Sequence, residues 1–184
     1  MNFPFGAAMM FKNKYVSLVA YAGVVIALDQ ITKYLVLNLL PLYDVIHIIP
    51  GFLDITHLQN PGVAFGIFSS NHSNIQQILL MSASFVAVCV IVYFYSQTTD
   101  NHRFMLLGFA LIFGGAIGNF IDRVRMGRVV DFIDVYVGNI HWPSFNVADS
   151  SISVGVVIFL YHIIFKRPGM FYEQERNVNK GKIS

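Results

Sequence analysis

The chain has 184 residues, enough for one compact unit and too few for a second soluble domain beside it. Apolar residues make up 55% and charged residues 12%, against about 45–50% and about 25% in soluble domains, and mean hydropathy is +0.60, so an ordinary soluble fold is excluded. A net charge of +2 offers no basic field to nucleic acid, and the single cysteine, Cys89, excludes an internal disulfide.

Crossing about 30 Å of hydrocarbon takes about 20 mostly apolar residues. Four stretches qualify, at about residues 15–40, 75–96, 104–122 and 148–165. The first is interrupted by Asp29 and Lys33, which stand in the favourable acid-before-base order one helical turn apart. The second is free of charge. The third is apolar until Asp122 and Arg123, and the fourth begins at Asp149 and stops at Lys166 and Arg167. The expected fold is an all-α integral membrane protein with four transmembrane helices and a small extracytoplasmic β-containing segment between helices one and two. Residues 1–166 form its single domain, and 167–184 a polar cytoplasmic tail. The first short apolar run precedes Lys12 and Lys14 instead of following them, and no small-residue cleavage site follows the first span, so that span is expected to stay in the membrane.

Four spans put both termini on one side. That side would hold Lys12, Lys14, Arg103, Lys166, Arg167, Arg176, Lys180 and Lys182, eight of the twelve basic residues, and the connection 41–74 holds none. The positive-inside bias therefore predicts cytoplasmic termini. Within 41–74, Leu53-Asp54-Ile55-Thr56-His57 alternates as a half-buried strand, and Asn60-Pro61-Gly62 ends it as a turn. The connection 124–147 reads as a short apolar segment from Val129 to Val137, a Gly138-Asn139 turn, and Trp142-Pro143 at the interface. Cys89 reads as a small apolar residue of a membrane helix. Ala110, Gly114 and Gly118 form a small-residue stripe for close helix packing.

Seven of the eight aspartates, at 29, 44, 54, 122, 131, 134 and 149, fall in the outer half. Charges at membrane depth cost about 2.5–3.5 kcal/mol each on insertion scales and mark function or pairing. Asp44 and Asp54 read as solvated loop residues. Asn119, Asp122 and Arg123 share a helix face, and Asn146 stands three before Asp149, where it can cap the fourth helix as well as serve a site. The third and fourth spans are antiparallel neighbours, so Asp131 and Asp149 can converge. Close carboxylates split their proton affinities, which supplies a general base and a general acid for attack by water. Spacing alone does not select these two among the seven. The six histidines form no HExxH pattern, so no zinc site is expected. A transporter relay is the rival reading, but it calls for mid-bilayer carboxylates and paired halves.

Five segments narrow the choice: Asp29-Gln30-Ile31-Thr32-Lys33, Asn60-Pro61-Gly62-Val63-Ala64-Phe65, Gly118-Asn119-Phe120-Ile121-Asp122-Arg123, Val130-Asp131-Phe132-Ile133-Asp134 and Phe145-Asn146-Val147-Ala148-Asp149. In this order and spacing, over about residues 15–165, the chain resembles the lipoprotein signal peptidases (signal peptidase II), aspartyl peptidases of the bacterial inner membrane. The resemblance implies a catalytic pair, Asp131 and Asp149. It further implies substrate-pocket positions at Asp29, Asn60, Asn119, Arg123 and Asn146, and a structural Asp122 that holds Arg123. The implied reaction removes the signal peptide from diacylglyceryl-modified prolipoproteins on the amino side of the lipidated cysteine, near the outer surface and without cofactor or metal. The implied partners are those prolipoproteins and membrane lipids, with no nucleic acid, and cyclic peptide antibiotics of the globomycin type as inhibitors.

Overall fold

The computed structural model describes residues 13–62 and 74–166. Lys12, the Val63-Ala64-Phe65 end of the second motif and the expected tail 167–184 lie outside the described residues. The described chain forms α1 (Lys14–Leu39), β1 (Val45–Ile49), β2 (Leu53–Asn60), α2 (Asn74–Gln97), α3 (Arg103–Met126), β3 (Val129–Val137), β4 (Ile140–His141) and α4 (Val147–Lys166). All four helices are long and apolar enough to cross a membrane, and the shortest, of 20 residues, rises about 30 Å.

The helices turn their polar groups inward. α1 starts where the Asn13 side chain accepts from the Tyr15 N–H at 2.9 Å. Its buried stripe is Ala22, Val25, Asp29, Lys33 and Val36, spaced for one helix face. Its opposite face exposes Val19, Val24, Leu28, Ile31 and Leu35, as a lipid-facing surface requires. Cys89 is likewise exposed on α2.

α3 is the spine, and its glycines set how near its neighbours come. A Cβ on Gly114 would stand 3.0 Å from the Cα of Ala22 in α1, and one on Gly115 would stand 2.4 Å from the Ala148 carbonyl oxygen in α4. At one end of the bundle Lys14 Nζ donates to the carbonyls of Ser96 and Thr98, each at 2.9 Å. The rings of His102 and His162 meet there with a nitrogen–nitrogen distance of 3.2 Å. The sheet closes the opposite end.

That sheet is larger than the sequence suggested. It is antiparallel, in the order β1-β2-β3-β4, and so draws on both extramembrane connections instead of the first alone. Residues 129–137 pair with β2 because a run of β-branched and aromatic residues suits a pleated surface and β2 otherwise has an open edge. α3 stops at Gly127, whose φ of 72° is the left-handed cap that only glycine adopts cheaply. Asp54 is buried, at 5% exposure, instead of solvated as expected. It faces Asp134 across the strands and takes His47 Nδ1 at 2.9 Å, while Asp134 takes His141 Nδ1 at 2.8 Å. Like charges directly opposite destabilise a sheet, so each needs its own partner.

Candidate active site

A β-bulge brings the end of β2 to Asp131. Between Ile55 and Leu58 the register advances three residues on β2 against two on β3, from Ile133 to Asp131. One extra residue in a strand is a β-bulge, and it reverses which face later side chains occupy. Asn60 therefore lies diagonally across from Asp131 on the same face, and its Nδ2 donates to Asp131 Oδ2 at 3.0 Å. The Asn60 oxygen meanwhile accepts the Gly62 N–H at 2.8 Å, the local turn that asparagine favours.

Asp149 comes from the first turn of α4. Asn146 is the cap: its oxygen accepts the Asp149 N–H at 2.9 Å, and Asp149 Oδ2 accepts the Asn146 N–H at 3.3 Å. This reciprocal pair is a capping box. With its oxygen committed, Asn146 points Nδ2 at Asp131 Oδ1, 2.8 Å away. Capping and site-building, the two roles open for Asn146, are performed by opposite ends of one side chain. Asn119 then joins the carboxylates: its Nδ2 donates to Asp149 Oδ1 at 2.7 Å and its oxygen accepts Asn146 Nδ2 at 3.2 Å.

Beneath this layer lies a buried ionic core. Lys33 Nζ contacts Asp29 at 2.9 Å, Asp122 at 2.8 Å and Asn119 Oδ1 at 2.9 Å. Asp29 also accepts the Ala148 N–H at 2.9 Å, one of the orphan donors at the start of α4. Asp122 receives Lys33, Gln30 and the Val130 N–H; contrary to expectation, no hydrogen bond or ion pair joins it to Arg123. A buried lysine requires charge compensation more than an arginine at a helix end does. Arg123 is half-buried, with Nη1 3.4 Å from Ser84 Oγ, beside Pro61, Leu80 and Met81. Gln30 and Lys33 had no site role in the sequence reading, although both sit inside its first motif. Asp29, one of the expected pocket positions, stands fully buried against the start of α4. No group of three or more His, Cys, Asp or Glu side chains suited to a metal occurs among the described residues.

Asp131 is 4% exposed. Burial pushes its carboxyl up to about 6, the Asp149 charge adds to the rise, and the Asn60 and Asn146 hydrogen bonds oppose it. Relative to the ordinary 3.8, the folded state therefore keeps a proton that the unfolded chain has released. The associated stability is fully present below 3.8 and is lost as pH rises through about 6. Two units correspond to about 3 kcal/mol. Thermal melting across this range should show the decline in the native protein and not in Asp131→Asn; equal slopes would refute the assignment.

A four-span membrane protein with two aspartates bridged by asparagines near one end of its bundle defines a membrane enzyme class, and the comparisons name it. The family described as Signal peptidase (SPase) II matches residues 21–165. The lipoprotein signal peptidase of Desulforapulum autotrophicum is 45% identical over 152 residues, which is 83% of this chain and 94% of that one. The lipoprotein signal peptidase of Syntrophus aciditrophicus is 38% identical over 79% of this chain and 91% of its own. A bacterial membrane enzyme solved by the in meso method at 1.9 Å superposes with a TM-score of 0.73 at 34% identity, covering 83% of this chain and 95% of that one. The chain belongs to the signal peptidase II family and is a multi-pass bacterial membrane peptidase acting on prolipoproteins. The transporter reading falls.

Proposed function

We propose that Asp131 and Asp149 are the catalytic pair of an endopeptidase that cuts diacylglyceryl-modified prolipoproteins on the amino side of the lipidated cysteine. The observation that carries this is the shared clamp. Asn146 bonds to both aspartates, and Asn119 bonds to Asp149 and to Asn146. One carboxylate takes a proton from water as its oxygen attacks the scissile carbonyl carbon. The other gives its proton to the amide nitrogen as the carbon–nitrogen bond breaks, leaving a new carboxyl and a free cysteine amine. Neither metal nor covalent intermediate enters this scheme. Asn60 and Arg123 border the space a substrate backbone would enter, and Asn119, Asn146 and Asp29 hold the carboxylates in place. Membrane lipids surround the site, and cyclic peptides of the globomycin type would compete for it. Purified protein mixed with a lipid-modified prolipoprotein should release a mature form starting at the lipidated cysteine; an uncut substrate would refute the proposal.

The same reading puts the termini in the cytoplasm and the site near the outer surface. Supporting it are the eight basic residues expected at the terminal side and the absence of any from 41–74. Reporter fusions after residues 60 and 140 should score as outside, and those after 100 and 175 as cytoplasmic. An inside signal at 60 would invert the arrangement.

A further inference from the structure

An asparagine carboxamide can present either its oxygen or its NH2 to a neighbour, and the hydrogen-bond network decides which. Around the two aspartates all three carboxamides are decided by a partner that can only donate. For Asn60 that partner is the Gly62 N–H, and for Asn146 it is the Asp149 N–H. For Asn119 it is Lys33 Nζ at 2.9 Å. A lysine ammonium has three donors and no acceptor, so the Asn119 oxygen must face it and the NH2 must face Asp149, at 2.7 Å.

The two carboxylates are not equivalent. Asp149 is half-buried, lies at the positive end of α4 and receives both the Asn119 NH2 and a backbone N–H. Asp131 is buried on β3 and receives two carboxamide NH2 groups, from Asn60 and Asn146, but no backbone N–H. We infer that Lys33 is a positioning residue which, by fixing the Asn119 carboxamide, holds Asp149 as the ionised, water-activating member of the pair and leaves the proton on Asp131. This rests on the proposed roles of Asp131 and Asp149. The charged groups acting on Asp149 are Arg123 of α3 and Asp131 of β3, and Lys33, Asp29 and Asp122 form the ionic core beneath the pair. β2 brings only Asn60 to the pair, and its His57 is turned to the Leu40 carbonyl at 2.8 Å. In this arrangement the acid limb of turnover reports the ionisation of the pair as a unit.

The test is the pH profile of turnover of a lipid-modified prolipoprotein by the full-length chain in detergent. Lys33→Met should lower kcat by about 10- to 100-fold, the loss expected when a charged acceptor gives up a donor. KM should change little, because Lys33 touches no substrate. The acid limb should move to higher pH, because the charged form of the pair loses a hydrogen bond. A merely structural lysine would lower the melting temperature and leave the limb of the surviving enzyme in place; that result overturns the inference. Should Lys33→Met fail to fold, Lys33→Gln decides. Its carboxamide can accept as well as donate, so it no longer forces the Asn119 oxygen towards it. A reduced kcat with a raised acid limb and little change in KM supports the relay, and a native profile overturns it. Asp131→Asn and Asp149→Asn are assayed alongside. Activity in either refutes the catalytic pair itself, whereas two inactive variants beside a native Lys33→Met profile refute the lysine's role alone.

Discussion

Asp131→Asn and Asp149→Asn should each reduce cleavage by about 10,000-fold or more, and the double variant should be scarcely worse than either single one. The amide fills nearly the volume of the carboxyl but can neither take nor give the proton. The penalty is not additive because the groups act on one water and one scissile bond: with either lost, the other has nothing to cooperate with. Folding should survive in both. At Asp131 the change removes a buried group that is costly to ionise, and at Asp149 the capping oxygen is retained by the amide. Turnover should be measured on purified, monodisperse variants together with their melting temperatures. Near-native cleavage by either single variant would take that residue out of the chemistry.

The second large effect is steric. Gly115→Ala would put a Cβ 2.4 Å from the Ala148 carbonyl oxygen and 2.7 Å from Ile152 Cγ1. The oxygen belongs to backbone, one residue from Asp149, so relief requires α4 to move away from α3. Forcing one extra methyl group into a packed interface costs about 1–3 kcal/mol. Catalysis should suffer more than stability does, since a displacement of about 1 Å at reacting groups can cost about 100-fold. Gly23→Ala is the matched control. It sits in α1 with nothing within 4 Å of its added methyl, and alanine is the better helix former by about 1 kcal/mol. The expected result is an inactive, destabilised Gly115→Ala beside a fully active Gly23→Ala. Equal behaviour of the two would mean that the α3–α4 contact does not govern the site.

Which features could be read from the chain alone follows from the range of the forces involved. The four helices were readable because hydrocarbon demands a long apolar run, and such runs are local in sequence. The Asp29–Lys33 pair was readable for the same reason, being one turn apart. The sheet was only half readable. Leu53–His57 alternates as a half-buried strand should, whereas Val129–Val137 reads as an apolar run and acquires its partner from 69 residues or more away. The bulge that aims Asn60 at Asp131 leaves no mark in composition. The resemblance gives Asp122 the task of holding Arg123, yet the deeper demand comes from Lys33 on another helix. Charge compensation in a buried core is set by three-dimensional neighbours, and no single-chain pattern reports it.

The pairing of β2 with β3 has a consequence for biogenesis. β2 follows the first helix, but the strand it needs emerges only after the third has been made, and Asp149 arrives later still with the fourth. Closing contacts across so much chain is slow compared with forming helices. A chain with two helices inserted thus has an unfinished sheet edge. On the proposed roles of Asp131 and Asp149, cleavage should begin only once the fourth helix is in place.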